Sequence, residues 1–330
     1  MTTEYQIFNR LREKAGQATE NRYHVASLPG RLHKLGVSED GFPKFFIVTE
    51  DNSTMQNLNA ELLSVEYNML CDIIEENTVV EGLRFTIITL RSENEQLQKM
   101  FIDVFLLMLD SLPQSPTNMQ LASKIENLIS IFSKLKRRPV HKLQGLWAEL
   151  LLIEQSHDPC IVARAWHTQP DSKYDFTMGG DKVEVKSTQG ENRIHRFSLD
   201  QLNPSPSSHL LICSVIVRES AKAANGLSVF DLYDKIIAKI SDSEIRLHVN
   251  DVFAETLGSD YYVAQNKYFD YIEACDQMAL FEHTDVPKID KALVPDHVTE
   301  VKFSSDLSHL TDIRIKRPEG FNSELFNAIF

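Results

Sequence analysis

The sequence predicts an α/β protein, α+β overall, with a mixed central sheet flanked by helices. Three segments carry that prediction. Leu143–Gln155 repeats apolar side chains (Leu143, Leu146, Trp147, Leu150, Leu151) at helical spacing. Residues 174–187 read as a tight hairpin about Gly179-Gly180, because glycine tolerates the positive φ that two-residue hairpin turns require. Residues 210–217 form a nearly unbroken apolar run, as expected of a strand buried on both faces of a mixed sheet.

The 330 residues exceed one small core, so three regions are expected: 1–135, 136–220 and 221–330. In the first, an accessory α+β region, residues 44–49 and 84–90 are rich in β-branched and aromatic side chains, and 62–70 can pair with them. Helices follow over 94–111 and, after Pro113 and Pro116, over 118–136, where Leu121, Ile125, Leu128 and Ile131 recur at helical intervals. Beyond the hairpin, 197–202 reads as a short helix and 203–208 as a loop. The C-terminal extension has helices over 228–240 and 244–256, strands over 261–271, 280–282 and 298–303, and helical character over 322–329.

The hairpin places charge where chemistry is possible. Centred on the glycine pair, it sets Phe176 against Val183, Tyr174 against Val185, Thr177 against Lys182 and Asp175 against Glu184. Alternation then puts Tyr174, Phe176, Val183 and Val185 on one face, and Asp175, Glu184, Lys186 and Lys182 on the other. Directly opposed residues have Cβ atoms about 4.5–5.5 Å apart, and like charges there destabilise the pair. A divalent cation would offset the repulsion; so would Lys182 and Lys186 on a solvated face, and the hairpin alone does not choose. Upstream, Glu149 lies at the edge of its helix's apolar stripe. Gly145, one turn earlier, costs that helix about 1 kcal/mol relative to Ala, which suggests close approach by another element.

A helix bearing Glu149, a strand bearing Asp175 and a strand bearing Glu184-x-Lys186 together resemble the PD-(D/E)XK nuclease superfamily over residues 149–218, with Tyr174-Asp175 where the family name has Pro-Asp. The whole chain looks like a prokaryotic PD-(D/E)XK family of about this size found in restriction-modification and phage-defence neighbourhoods. The resemblance implies a restriction-endonuclease-like core and a Mg²⁺-dependent DNA endonuclease, with Mn²⁺ able to substitute. Asp175 and Glu184, with the Val185 carbonyl, would hold the metal. Lys186 would orient the attacking water, and Glu149 would complete a second metal site or position Lys186. Expected partners are DNA, methyltransferase or ATPase subunits of a defence system, and a second copy in a homodimer. A catalytically silent DNA-binding or scaffold subunit, or an RNA-directed nuclease, is the alternative.

Charge and composition bound this expectation. A net charge of −13 argues against a nonspecific nucleic-acid coat, although only a cleft need be basic. Lys134, Lys136, Arg137, Arg138 and Lys142 precede the Glu149 helix, either as phosphate contacts or as cations at a helix C-terminus. Lys142, Arg193, Arg196 and Gln201 are the candidate nucleic-acid contacts. His141, His157, His167, His195 and His209 lack ligand-like spacing and are read as structural or exposed. Four scattered cysteines without a C-x-x-C pair indicate neither a zinc site nor a disulfide framework. With no signal-like N-terminus and no apolar run long enough to cross a bilayer, a cytoplasmic protein without membrane contact is expected.

Overall fold

The computed structural model describes residues 3–330 except 17–21, 52, 54, 136–141, 170–171, 223, 315–316 and 318–319. It divides into two compact units, Met1–Arg137 and Arg138–Phe330.

In the first unit, α1 (Glu4–Arg12) precedes β1 (Arg22–Ser27), β2 (Lys34–Val37), β3 (Pro43–Ile47), β4 (Leu58–Asn59), β5 (Leu63–Glu75) and β6 (Thr78–Leu90), followed by α2 (Glu95–Asp110) and α3 (Asn118–Lys134). The strand order is β1-β2-β3-β6-β5-β4, and β1 also pairs parallel with β5, which closes five strands into a ring. Register shifts between Glu66/Met69 and Cys71/Ile73 let the long β5 bend enough to serve β4 at one end and β1 at the other. The aromatic residues of β3 explain its central place. Phe45 packs on Phe105 of α2 at 4.6 Å between centroids, while Phe46 faces Phe85 across the sheet. The helices start where the sequence supplies caps: the Asn94 side chain accepts from the Leu97 N–H, and Thr117 forms a capping box with Gln120.

The second unit contains α4 (Leu143–Gln155), α5 (Pro159–Ala165), β7 (Phe176–Met178), β8 (Asp181–Thr188), β9 (Ile194–Ser198), β10 (His209–Ile216), β11 (Glu219–Ser220), β12 (Gly226–Leu227), α6 (Val229–Lys239), α7 (Ser243–Leu257), α8 (Tyr261–Ala264), β13 (Tyr268–Asp270), α9 (Tyr271–Gln277), β14 (Ala279–Glu282), β15 (Lys302–Asp306) and α10 (Glu324–Ile329). Its principal sheet runs β14-β10-β8-β7. β10 is parallel to β8 and antiparallel to β14, so the sheet is mixed, and β10 is buried from Leu210 to Ile216. Helix α4 keeps its sequence-predicted bounds and is buried from Leu146 to Glu154. The Trp147 indole N–H donates to the Leu227 carbonyl at 2.9 Å. Glu154 ties α4 to its neighbours, accepting from Lys239 at 2.9 Å and from the Tyr271 hydroxyl at 2.8 Å. Burial alone would raise its pKa; bonds from Lys239, Gln155 and Tyr271 outweigh that and lower it.

Several expectations change. Residues 197–202 are not a helix: β9 runs to Ser198 and pairs with β15, Phe197 opposite Phe303, so a partner a hundred residues away decides the conformation. Residues 261–271 split into α8 and β13, despite their aromatic and β-branched content. Helix α5, unforeseen, begins with Asp158-Pro159; the Asp158 side chain accepts from the Cys160 and Ile161 N–H groups and Pro fills the first helical position. No helix among the described residues is long and apolar enough to cross a membrane.

Candidate active site

The hairpin has the register expected from its glycines: Phe176 pairs with Val183, Thr177 with Lys182 and Met178 with Asp181. Of the two glycines only Gly179 takes a positive φ, +57°. Gly180 is pressed on a neighbouring loop, where a Cβ would stand 3.0 Å from the Ser207 carbonyl. The ladder stops at Phe176, which changes the face assignment of what precedes it. Tyr174 packs with Leu210, Ile212 and Phe197, and Leu210 and Ile212 are the register partners of Lys182 and Glu184. Tyr174 therefore joins the Glu184 side rather than the Val183 side, because strand alternation does not extend past the first paired residue.

Asp175 is held by the backbone on both sides. Its carbonyl accepts from the His167 N–H at 2.8 Å, and its Oδ2 accepts from the Val185 N–H at 2.7 Å. A bridge between Trp166 and Phe176 binds the end of α5 to the start of β7. The chain turns there through His167 at φ +39°, an uncommon conformation for a residue with a Cβ and one often found at functional sites. That turn brings two side chains onto Glu149: the Trp166 indole N–H donates to Oε2 at 2.8 Å, and His167 Nε2 lies 2.9 Å from the same oxygen. His167 Nε2 also stands 4.0 Å from Asp175 Oδ1.

From β8, Glu184 and Lys186 project to one side. Glu184 Oε1 accepts from Lys186 Nζ at 2.5 Å and from Gln201 Nε2 at 2.6 Å. Glu184 Oε2 is buried and has no hydrogen-bond partner. The Lys186 ammonium also lies over the Phe197 ring, 5.4 Å from its centroid. Gln201 is locked in turn, its Oε1 accepting from the Ser198 N–H at 3.0 Å.

Three carboxylates thus crowd a closed space, with Glu149 4 %, Asp175 9 % and Glu184 3 % exposed. Burial pushes the Asp175 carboxyl well above its ordinary value; the charges of Glu184 and Glu149 push it further, against the pull of the Val185 N–H and Lys186. Burial raises Glu184 too, against the Lys186 ammonium. Oxygen-rich and desolvated, the group fits a divalent cation. Among the described residues, donor atoms of Glu149, His167 and Asp175 all lie within 4.8 Å of one another. They open into a cleft of about 430 Å³, also lined by Lys142, Lys173, Glu184, Lys186 and Gln201.

The cleft therefore gathers six sequence-predicted residues: Glu149, Asp175, Glu184, Lys186, Lys142 and Gln201. Gln201 acts there by holding Glu184, from a turn rather than from a helix. Gly145 does border the cleft, but nothing approaches within 4 Å of the position its Cβ would take; the missing side chain leaves space instead of admitting a neighbour. Arg193 is elsewhere. Its guanidinium donates to the Ser214 carbonyl and hydroxyl at 3.0 Å and to the Gln277 carbonyl, so it fastens the fold rather than facing the cleft. Arg196 is exposed and lines a separate hollow with Phe197, Ser198, Gln201 and Lys302. Lys136, Arg137, Arg138 and His141 lie outside the described residues. His195 is structural, as expected, with Nε2 2.8 Å from the Ser214 hydroxyl; burial, then Lys186 and Arg193, lower its pKa to about 4. His167 is the residue that spacing rules miss, since neither its distance along the chain from Glu149 nor that from Asp175 matches a regular repeat. The turn after a capped α5 was its one available signal.

The model of a protein family described as "Putative PD-(D/E)XK family member" (DUF4420) matches residues 5–308. No curated protein and no solved structure matches the chain.

Proposed function

The chain belongs to this PD-(D/E)XK family, and we propose that it is a metal-dependent endonuclease that hydrolyses DNA phosphodiester bonds with Mg²⁺, or Mn²⁺ in its place. The observation that carries the reading is the convergence of Asp175, Glu184 and Lys186 with Glu149 in one cleft that is also lined by Lys142 and Lys173. A scaffold that only bound nucleic acid would have no use for three buried carboxylates, which cost stability.

Each side chain has a definable task. Glu149 and Asp175 would hold the cation, with the unpartnered Glu184 Oε2 beside them. When bound, the cation supplies polarisation of the phosphoryl oxygen and a lowered pKa for its water. Lys186 presents an ammonium to the cleft, able to donate to the attacking water and to a phosphate oxygen as negative charge grows there. Gln201 and Lys186 together fix the Glu184 carboxylate, and Trp166 fixes that of Glu149, so orientation is established before substrate arrives. Lys142 and Lys173 flank the site and suit the neighbouring phosphates. The family resemblance supports a place in restriction or anti-phage defence, with methyltransferase or ATPase subunits restraining an activity that would otherwise harm the host.

The test is incubation of the purified protein with plasmid, linear duplex, single-stranded DNA and RNA, with and without Mg²⁺ or Mn²⁺, alongside Asp175→Ala and Lys186→Ala. Metal-dependent cleavage of DNA by the wild type alone is expected. Equal cleavage by all three proteins would refute the assignment, and cleavage confined to RNA would replace its substrate.

A further inference from the structure

Within that reading of the cleft, the geometry points to His167 as a direct metal ligand through Nε2, making the ion site a mixed nitrogen–oxygen centre that prefers Mn²⁺-type transition ions to Mg²⁺. The argument starts from distances. Donors sharing one octahedral ion with bonds of about 2.1 Å stand about 3 Å apart when adjacent and about 4.2 Å apart when opposite. His167 Nε2 is 2.9 Å from Glu149 Oε2 and 4.0 Å from Asp175 Oδ1. Both separations fall within the span that one ion bridges, and the three donors come from three different segments of chain.

Two further features are independent of those distances. Glu184 Oε2 is buried in the wall of the same cleft without a hydrogen-bond partner, the condition of a carboxylate oxygen that a cation would satisfy. The Trp166 indole N–H holds Glu149 Oε2 at 2.8 Å, the kind of outer contact that orients a ligating carboxylate. The His167 ring is placed by its backbone, whose N–H is bonded to the Asp175 carbonyl, so ligand and ligand-bearing segment are joined before metal binds.

A nitrogen donor changes which ion the site favours. Mg²⁺ prefers oxygen and keeps its waters, whereas imidazole strengthens binding along the transition series. An all-carboxylate cleft would leave Mg²⁺ the natural occupant; His167 tilts it toward Mn²⁺.

The experiment is pulsed electron paramagnetic resonance of the full-length protein loaded with Mn²⁺, with Mn²⁺ and Mg²⁺ affinities measured by titration calorimetry. The wild-type echo is expected to carry ¹⁴N modulation, replaced by a ¹⁵N pattern when only histidine is ¹⁵N-labelled. That measurement needs no substitution and so no assumption that a variant folds. In His167→Ala the modulation should vanish and Mn²⁺ affinity fall about 10–100-fold, with a much smaller change for Mg²⁺. His167→Asp should restore binding with the preference turned toward Mg²⁺. Failure of the wild type to bind Mn²⁺, Mn²⁺ bound without nitrogen modulation, or modulation that persists in a folded His167→Ala would overturn the inference. Its failure is separable from that of the nuclease reading: cleavage without nitrogen coupling removes only the ligand, and coupling without cleavage removes only the nuclease.

Discussion

Replacing Asp175 by Asn should make the metal-free protein more stable while abolishing its response to metal. The amide retains the structural bond, since its Oδ1 can accept from the Val185 N–H in place of the present Oδ2 contact at 2.7 Å. What it removes is charge. The ligand atoms of Asp175 and Glu149 lie within 4.8 Å of each other, and two like charges at that distance repel by about 3.5 kcal/mol at an effective dielectric constant of about 20. The upward shift of the Asp175 carboxyl already offsets part of this in the wild type, so the gain should be about 1–3 kcal/mol, or about 2–4 °C in Tm per kcal/mol for a unit of this size. The sign with pH follows from linkage. Because burial and the neighbouring carboxylates raise the folded pKa, folding takes up a proton above the unfolded value of about 4; the stability this provides is full below that pH and is lost as pH rises through the folded value. Thermal melts in EDTA from pH 5 to 9, repeated with Mn²⁺ or Mg²⁺, measure both effects. The wild type should gain about 2.7 kcal/mol when metal is a hundred times its Kd, and Asp175→Asn should gain almost nothing. An Asn variant less stable than wild type in EDTA at pH 8 would refute the reasoning.

Further outcomes follow from individual contacts. Gln201→Ala removes one of the two donors that hold Glu184 Oε1, and kcat should fall about 10–100-fold with KM little changed, read by steady-state cleavage of a short duplex. Lys239→Ala takes a 2.9 Å partner from buried Glu154; because the ammonium is partly exposed and Lys235 remains at 3.5 Å, urea melts should show a loss of about 1–3 kcal/mol with unchanged kcat per folded molecule. His195 is held neutral with a pKa lowered to about 4, so the unfolded chain takes up its proton first as pH falls; stability should drop by up to about 3 kcal/mol between pH 6.5 and 4, and His195→Gln should remove most of that slope in acid melts. Gel shifts with a catalytically silent Lys186→Ala protein should retain duplex DNA only when metal is present, and retention in EDTA of equal strength would contradict a coupling of DNA binding to the ion through charge.

Local chemistry made part of this structure readable in advance. The apolar spacing of Leu143–Gln155 placed α4 and its Glu149, and the glycine pair placed the register that sets Phe176 on Val183, because helix period and turn geometry act over a few residues. The run from Leu210 announced a doubly buried strand for the same reason. What stayed hidden depends on residues far apart in sequence. β9 is a strand because Lys302–Asp306 lies beside it, and Arg193 faces inward because Ser214 and Gln277 accept from it. His167 reaches Glu149 only through a left-handed turn after α5, and no repeat in the sequence encodes that meeting. Alternation puts Tyr174 on the wrong face because it is extended two residues beyond Phe176, where pairing begins.

If the cleft acts on nucleic acid as proposed, its charge inventory bears on how so acidic a chain would engage an anion. Glu149, Asp175 and Glu184 line it together with Lys142, Lys173 and Lys186, three acidic and three basic side chains. The whole chain carries −13, but at physiological salt the screening length is about 8 Å, so a phosphate backbone held in the cleft would feel mainly the charges that line it. A single divalent cation would add +2 to the cleft and leave the surface as it was. Substrate affinity would then be coupled to metal occupancy by charge, since each ligand would lower the electrostatic cost of the other. On the proposed nuclease reading, the same three carboxylates that cost the metal-free fold stability would make nucleic-acid binding depend on the ion.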